Sequence, residues 1–162
     1  MLFLAAIAFL ILCIAAAGVL ARLERSGPAW PVFARPVMTA AELEFYARLA
    51  QAVPDLRIFP QVQLCRFIEV QSGPKRTATL NRYDRLSADF VVARADGTVL
   101  CVIELDDASH ERRVVGKRDA KKSAVLSAAG IPLLRFRAGR LPDAMELAAQ
   151  VKAAASATGP YS

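Results

Sequence analysis

Apolar residues run from Leu2 to Leu20 without a single charged side chain. A helix of that length spans roughly 28 Å, about the thickness of a bilayer's hydrocarbon core. The pattern therefore predicts one N-terminal transmembrane helix, an anchor over residues 1–21. Gly27-Pro28, Pro31 and Pro36 then interrupt regular structure, and Trp30 and Phe33 suit a membrane interface, which gives a linker over 22–38. Thr39-Ala40-Ala41-Glu42 has the form of a capping box. It opens a helix whose apolar positions, Leu43, Tyr46, Ala47, Leu49, Ala50 and Val53, recur at helical spacing until Pro54. Ile58 to Val70 alternates loosely, as one strand or two, and Ser72 to Asn81 reads as a polar, basic loop.

Two further strand runs, 89–94 and 99–105, flank Asp96-Gly97, a strong hairpin signal. Both faces of this hairpin are apolar. Val91, Ala93, Leu100 and Val102 lie on one side, and Phe90, Val92, Cys101 and Ile103 on the other. Such strands sit centrally in a sheet, covered on both faces. A helix follows from about Val114 to Ala129, stopped by Gly130, then a strand from Ile131 to Phe136 and a helix from Leu141 to Ala154. The small residues of 155–162 read as a disordered tail. This order predicts an α/β domain over 39–154 with a mixed central sheet flanked by helices.

The second hairpin strand carries the densest chemistry. Val102-Ile103-Glu104-Leu105-Asp106-Asp107-Ala108-Ser109-His110 passes from an apolar run into three carboxylates and the only histidine. Acids at the end of a buried strand are costly unless a metal, a partner charge or water satisfies them. With Asp96 and Gly97 as a two-residue turn, Asp89 falls directly opposite Glu104, where like charges destabilise the pair. Asp106 points to the same face as Glu104. Three carboxylates at one corner of a sheet suit a hard divalent cation, Mg²⁺ or Mn²⁺. The competing reading is a frayed strand end with solvated acids, and a longer turn would shift the register.

Composition narrows the partners and the compartment. The 162-residue chain has a formal net charge of +6, and every charged side chain follows the apolar span. The excess concentrates in Arg112, Arg113, Lys117, Arg118, Lys121 and Lys122. This patch suits a polyanion, nucleic acid or acidic lipid head groups; a solvated helix face is the plainer alternative. Cys13, Cys65 and Cys101 form no CxxC pair, and one histidine cannot complete a zinc cluster, so zinc is not expected; a nucleotide cofactor is not expected either. Arg22 and Arg25 after the span orient the chain by the positive-inside rule. The expectation is a single-pass protein of the inner (cytoplasmic) membrane with its folded domain in the cytoplasm. A cleaved signal peptide is the rival; it lacks the usual basic residue before the apolar core, although Ala15, Ala16 and Ala17 keep it open.

A set of residues carries a family resemblance. Asp89-Phe90-Val91-Val92, Val102-Ile103-Glu104-Leu105-Asp106, His110, Arg118-Asp119 with Lys122, and Ala129-Gly130-Ile131-Pro132-Leu133-Leu134-Arg135 resemble domain-of-unknown-function family 2726, as do Glu42 and Glu44-Phe45-Tyr46 in the first helix. That family is similar to the PD-(D/E)XK nuclease superfamily, on the branch of very-short-patch-repair endonucleases. The resemblance covers roughly Met38 to Val151. It implies a restriction-endonuclease-like core and metal-dependent phosphodiester hydrolysis of nucleic acid, DNA before RNA. Asp89 matches the first motif acid and Glu104 the second, while the lysine normally two residues later is replaced by Asp106.

On this reading the candidate catalytic residues are Asp89, Glu104, Asp106, His110 and Lys122, with Asp89, Glu104 and Asp106 as metal ligands. Lys122 stands in for the missing lysine, and His110 serves as general acid or base. Glu42 is a further candidate acid, although helix capping alone explains it. Asp119 and Lys122 are equally explained as an ion pair on a helix surface. Arg112, Arg113, Lys117, Arg118 and Lys121 would hold the phosphate backbone. The alternatives are a catalytically inactive nucleic-acid-binding module on the same fold and a basic adaptor at a membrane surface.

Overall fold

The computed structural model describes residues 2–24, 30–106 and 112–157. They divide into two compact units, one ending at Arg35 and one beginning at Pro36. The first unit holds α1 (Leu2–Glu24). Its window Ala5–Arg22 has a mean hydropathy of 2.3, long and apolar enough to cross a membrane. The helix continues past the expected end at residue 21 because no glycine or proline intervenes before Gly27.

The second unit is built from α2 (Ala40–Ala52), β1 (Arg57–Gln63), α3 (Arg76–Leu80), β2 (Ser87–Ala93), β3 (Val99–Asp106), α4 (Arg112–Ala128), β4 (Leu133–Arg137) and α5 (Ala144–Ala157). The four strands form one sheet in the order β1-β2-β3-β4. The first three run antiparallel in succession, and β4 lies parallel to β3, with α4 as the crossover that a parallel pair requires. The expected mixed sheet is therefore present.

Helices cover both faces. Phe90, Val92, Cys101 and Ile103 pack with Phe45 and Leu49 of α2 and with Leu147 and Val151 of α5. The ring of Phe45 lies 5.4 Å from that of Phe90 and 5.3 Å from that of Phe136, centroid to centroid. On the opposite face Val91 and Val102 pack with Leu126 of α4 and with Leu64, Tyr83 and Leu86. The period-two alternation sorts these six hairpin side chains as the sequence predicts, but near the turn Val99 joins Val91 and Val102, while Ala93 and Leu100, expected on that face, are buried outside both clusters.

Several boundaries differ from expectation. Phe45, not Leu43, leads the buried face of α2, because the cap at Thr39 fixes the helix phase and leaves Leu43 half exposed. The run 58–70 is one strand followed by a single 3-10 turn, Leu64–Arg66, since Leu64 N turns to Leu86 O (2.9 Å) and Ile68 N to Leu64 O (2.9 Å). The polar stretch 72–81 contains α3. The folded unit starts inside the expected linker, because Met38 already packs against the core. Helix α5 reaches Ala157, so the start of the expected tail is helical; residues 158–162 lie outside the described residues. Gly130 closes α4 at φ 67°, with its N–H on Ser127 O (3.0 Å) and that of Ile131 on Leu126 O (2.9 Å).

The hairpin turn also needs correction. Arg94 N donates to Thr98 O (2.9 Å) and Gly97 N to Arg94 O (3.0 Å), so the loop comprises Ala95, Asp96 and Gly97, with Gly97 at φ 88°. Asp96 Oδ1 accepts from Thr98 N (2.9 Å). The extra loop residue pairs Ala93 with Val99, and a bulge between Val92 and Ala93 then restores Val92 to Cys101 and Phe90 to Ile103. One irregularity cancels the other, and Asp89 still arrives beside Glu104.

Candidate functional site

The Phe90–Ile103 pair is followed by Asp89 and Glu104, and at this point carboxylates take over the hydrogen bonds of the ladder. Asp89 Oδ2 accepts from Leu105 N (2.9 Å), and Glu104 Oε1 accepts from Asp89 N (3.4 Å). Lys122 reaches across from α4 and donates to Glu104 Oε2. Glu104 and Lys122 are the two charged residues buried among those described, 6% and 9% exposed.

Burial raises the pKa of both carboxyls above the ordinary range. For Glu104 the Asp89 charge pushes the same way, while Lys122 opposes. For Asp89 the Leu105 N–H and Lys122 oppose burial, and the charges of Glu42 and Asp106 reinforce it. Two acids thus share one buried cation, an arrangement that favours further positive charge. The donors are all oxygens. Mg²⁺ commonly takes one or two carboxylates and completes its shell with water and phosphate oxygens, so Asp89 and Glu104 fit such an ion.

Asp106 does not join them as expected. It sits at the exposed end of β3, where Arg135 Nη1 pairs with its Oδ1 (3.4 Å) and with Asp119 Oδ2 (3.5 Å). Arg135 is the neighbour of Glu104 across the parallel β3–β4 pair, which puts a cation beside the corner where three acids were expected. Among the described residues, no group of three His, Cys, Asp or Glu side chains is placed to hold a metal ion.

Glu42 makes the expected capping box. Its Oε2 accepts from Thr39 N (2.5 Å), and its own N–H donates to Thr39 Oγ1 (3.3 Å). Its Oε1 accepts from Gln61 Nε2 (2.7 Å), so hydrogen bonds engage both oxygens. The suggested Asp119–Lys122 pair gives way to Asp119 with Arg135 and Lys122 with Glu104. His110 lies outside the described residues, as do the side chains of Arg112 and Arg113.

Lys117, Arg118 and Lys121 are exposed on α4 and line a groove of about 590 Å³. A smaller hollow of about 250 Å³, bordered by Ser87, Arg118, Asp119 and Lys122, adjoins it through the shared residues Leu86 and Arg118. Lys122, the partner of Glu104, therefore borders a hollow that adjoins the groove of the basic helix.

Sequence reasoning missed Arg135, whose place beside Glu104 depends on the parallel pairing of β4. It also missed Gln61, the one non-glycine residue with positive φ (53°) among those described. Gln61 lies opposite Asp89, between the pairs Pro60–Phe90 and Val62–Ala88. No local signal marks either residue.

No curated protein and no solved structure matches the chain. A family match does exist and spans the sheet and the helices that flank it. The chain belongs to the family described as "Protein of unknown function (DUF2726)", whose family model matches residues 34–155.

Proposed function

We propose that the folded unit is a divalent-metal-dependent nuclease of the PD-(D/E)XK kind, held at the cytoplasmic face of a membrane by α1. The observation that carries the reading is the buried Glu104–Lys122 pair beside Asp89. The motif lysine is missing at position 106, yet a lysine reaches the second motif acid from α4. The mixed sheet with both acids at the end of its central hairpin supports the same reading.

Asp89 and Glu104 would hold Mg²⁺ or Mn²⁺. When bound, the ion supplies Lewis acidity and a water that loses its proton more readily. Lys122 fixes the orientation of Glu104 and adds positive charge next to the acids. Lys117, Arg118 and Lys121 grip phosphates, which gives affinity without sequence preference. Arg22 after the apolar span supports the cytoplasmic orientation. A second reading, a nucleic-acid-binding module without turnover, is favoured by the aspartate at position 106 and its engagement with Arg135.

The test uses the full chain in detergent, with plasmid, single-stranded DNA and RNA, in Mg²⁺, Mn²⁺ or chelator. Metal-dependent cleavage that disappears in Glu104→Ala is expected. Binding without cleavage in either metal would sink the nuclease reading and leave the binding module.

A further inference from the structure

The groove beside α4 has a second wall. Arg82 and Arg85 line it opposite Lys117, Arg118 and Lys121. Both arginines are exposed, while the residue that follows each, Tyr83 and Leu86, is 3% and 6% exposed and anchors the segment in the core. The turn is fixed by its backbone as well. Tyr83 N donates to Leu80 O (3.0 Å) and Leu86 N to Tyr83 O (2.9 Å), and Tyr83 Oη donates to Ile68 O (3.0 Å). The two guanidinium groups therefore project from a tightly held turn.

We infer that Arg82 and Arg85 form, with the basic face of α4, a two-walled track for the phosphate backbone of a nucleic acid that leads to Glu104 and Lys122. This rests on the nuclease-like reading of that site. Charge carries the assignment. Five cations line the groove against a single acid, Asp84, among the described lining residues. None of the five forms an ion pair among the described residues. Crowded cations without counter-charges cost stability, and their field concentrates polyanions in a groove. No aromatic side chain is among the described lining residues, so the track lacks the stacking platforms that single-strand binders use to grip bases. It holds phosphates and is indifferent to sequence. The shared residues Arg118 and Leu86 carry the track into the hollow beside Lys122.

The test uses the full chain in nanodiscs of uncharged lipid, with chelator present to stop turnover. Anisotropy of a fluorescent duplex of arbitrary sequence is followed between about 50 and 300 mM salt. The double variant Arg82→Gln/Arg85→Gln is expected to bind about tenfold more weakly or worse, with the slope of log K against log salt reduced by about two. Lys152→Gln, on α5 across the sheet, is expected to leave affinity and slope unchanged. Wild-type affinity and slope in the double variant would overturn the track. So would an equal loss in Lys152→Gln, which would mean diffuse charge, or groove lysines protected from acylation only in discs of anionic lipid, which would assign the groove to head groups. Cleavage lost in Glu104→Ala together with an unchanged slope in the double variant refutes the track alone. A reduced slope with cleavage indifferent to Glu104→Ala upholds the track and refutes the nuclease site.

Discussion

Lys122 and Glu104 are 18 residues apart in the chain, yet they meet as an ion pair shielded from solvent, with side chains 11% and 8% exposed. Helix α4 brings the lysine back over the strand that carries the acid. Stability depends on this contact, because a buried charge that loses its partner is far more costly than a pair that never formed.

Lys122→Met is expected to destabilise the folded unit by about 3–5 kcal/mol at pH 7, because it strands the Glu104 carboxylate. The double variant Lys122→Met/Glu104→Leu is expected to recover most of that loss. Urea titrations followed by circular dichroism compare the two, and equal losses would show that the pair is not the cause.

Asp89 and Glu104 both hold their protons more tightly in the folded unit than ordinary carboxyls do, through burial first. The folded state therefore binds more protons than the unfolded chain between the ordinary and the raised pKa. The contribution of these groups to stability is fully present below about pH 4 and is lost as pH rises through the folded pKa. Asp89→Asn keeps an acceptor for Leu105 N and removes this penalty. Its melting temperature without metal should exceed wild type at pH 7 and match it near pH 4; a deficit at pH 7 would contradict the assignment.

Asp106→Asn breaks only an exposed ion pair, a loss of about 0–1 kcal/mol. Mn²⁺ titrations read by electron paramagnetic resonance should show binding retained in this variant and lost in Glu104→Gln. Loss in both would mean that Asp106 leaves Arg135 to join the metal.

Gln61 occupies the left-handed region at φ 53°, which costs a non-glycine residue about 1–3 kcal/mol. Gln61→Gly should melt at or above the wild-type temperature, whereas Gln61→Val should lose about 1–3 kcal/mol, since a β-branched residue tolerates this backbone worst. Equal stability of the two variants would show that the strand relaxes when the contact with Glu42 is removed.

Burial pushes the Cys101 thiol up to about 12, so little thiolate exists at neutral pH. Labelling by iodoacetamide should reach Cys101 only as fast as the unit unfolds, with half-buried Cys65 reacting earlier. Fast native-state labelling of Cys101 would contradict its place between sheet and helices.

What was legible in the sequence was local or periodic. The capping box at Thr39, the two-faced hairpin and the glycine stop at Gly130 each depend on neighbouring residues, and each formed. The opposition of Asp89 and Glu104 came out right through two errors that cancel, a longer turn and a compensating bulge. Turn type depends on backbone angles that the Asp-Gly signal does not fix. Arg135 was invisible because its contacts require a parallel strand 29 residues from Asp106. Arg82 and Arg85 lay in a segment whose exposed and buried positions are assigned only once Tyr83 and Leu86 enter the core.

Gln61 and Pro60 have one more consequence, because β1 ends the order of strands in the sheet. An outermost strand invites recruitment by other chains through its unpaired backbone. Proline carries no amide hydrogen, and the left-handed turn of Gln61 tilts the next peptide away from the regular pleat. An edge strand interrupted in this way is a poor template for pairing with a second copy of the chain.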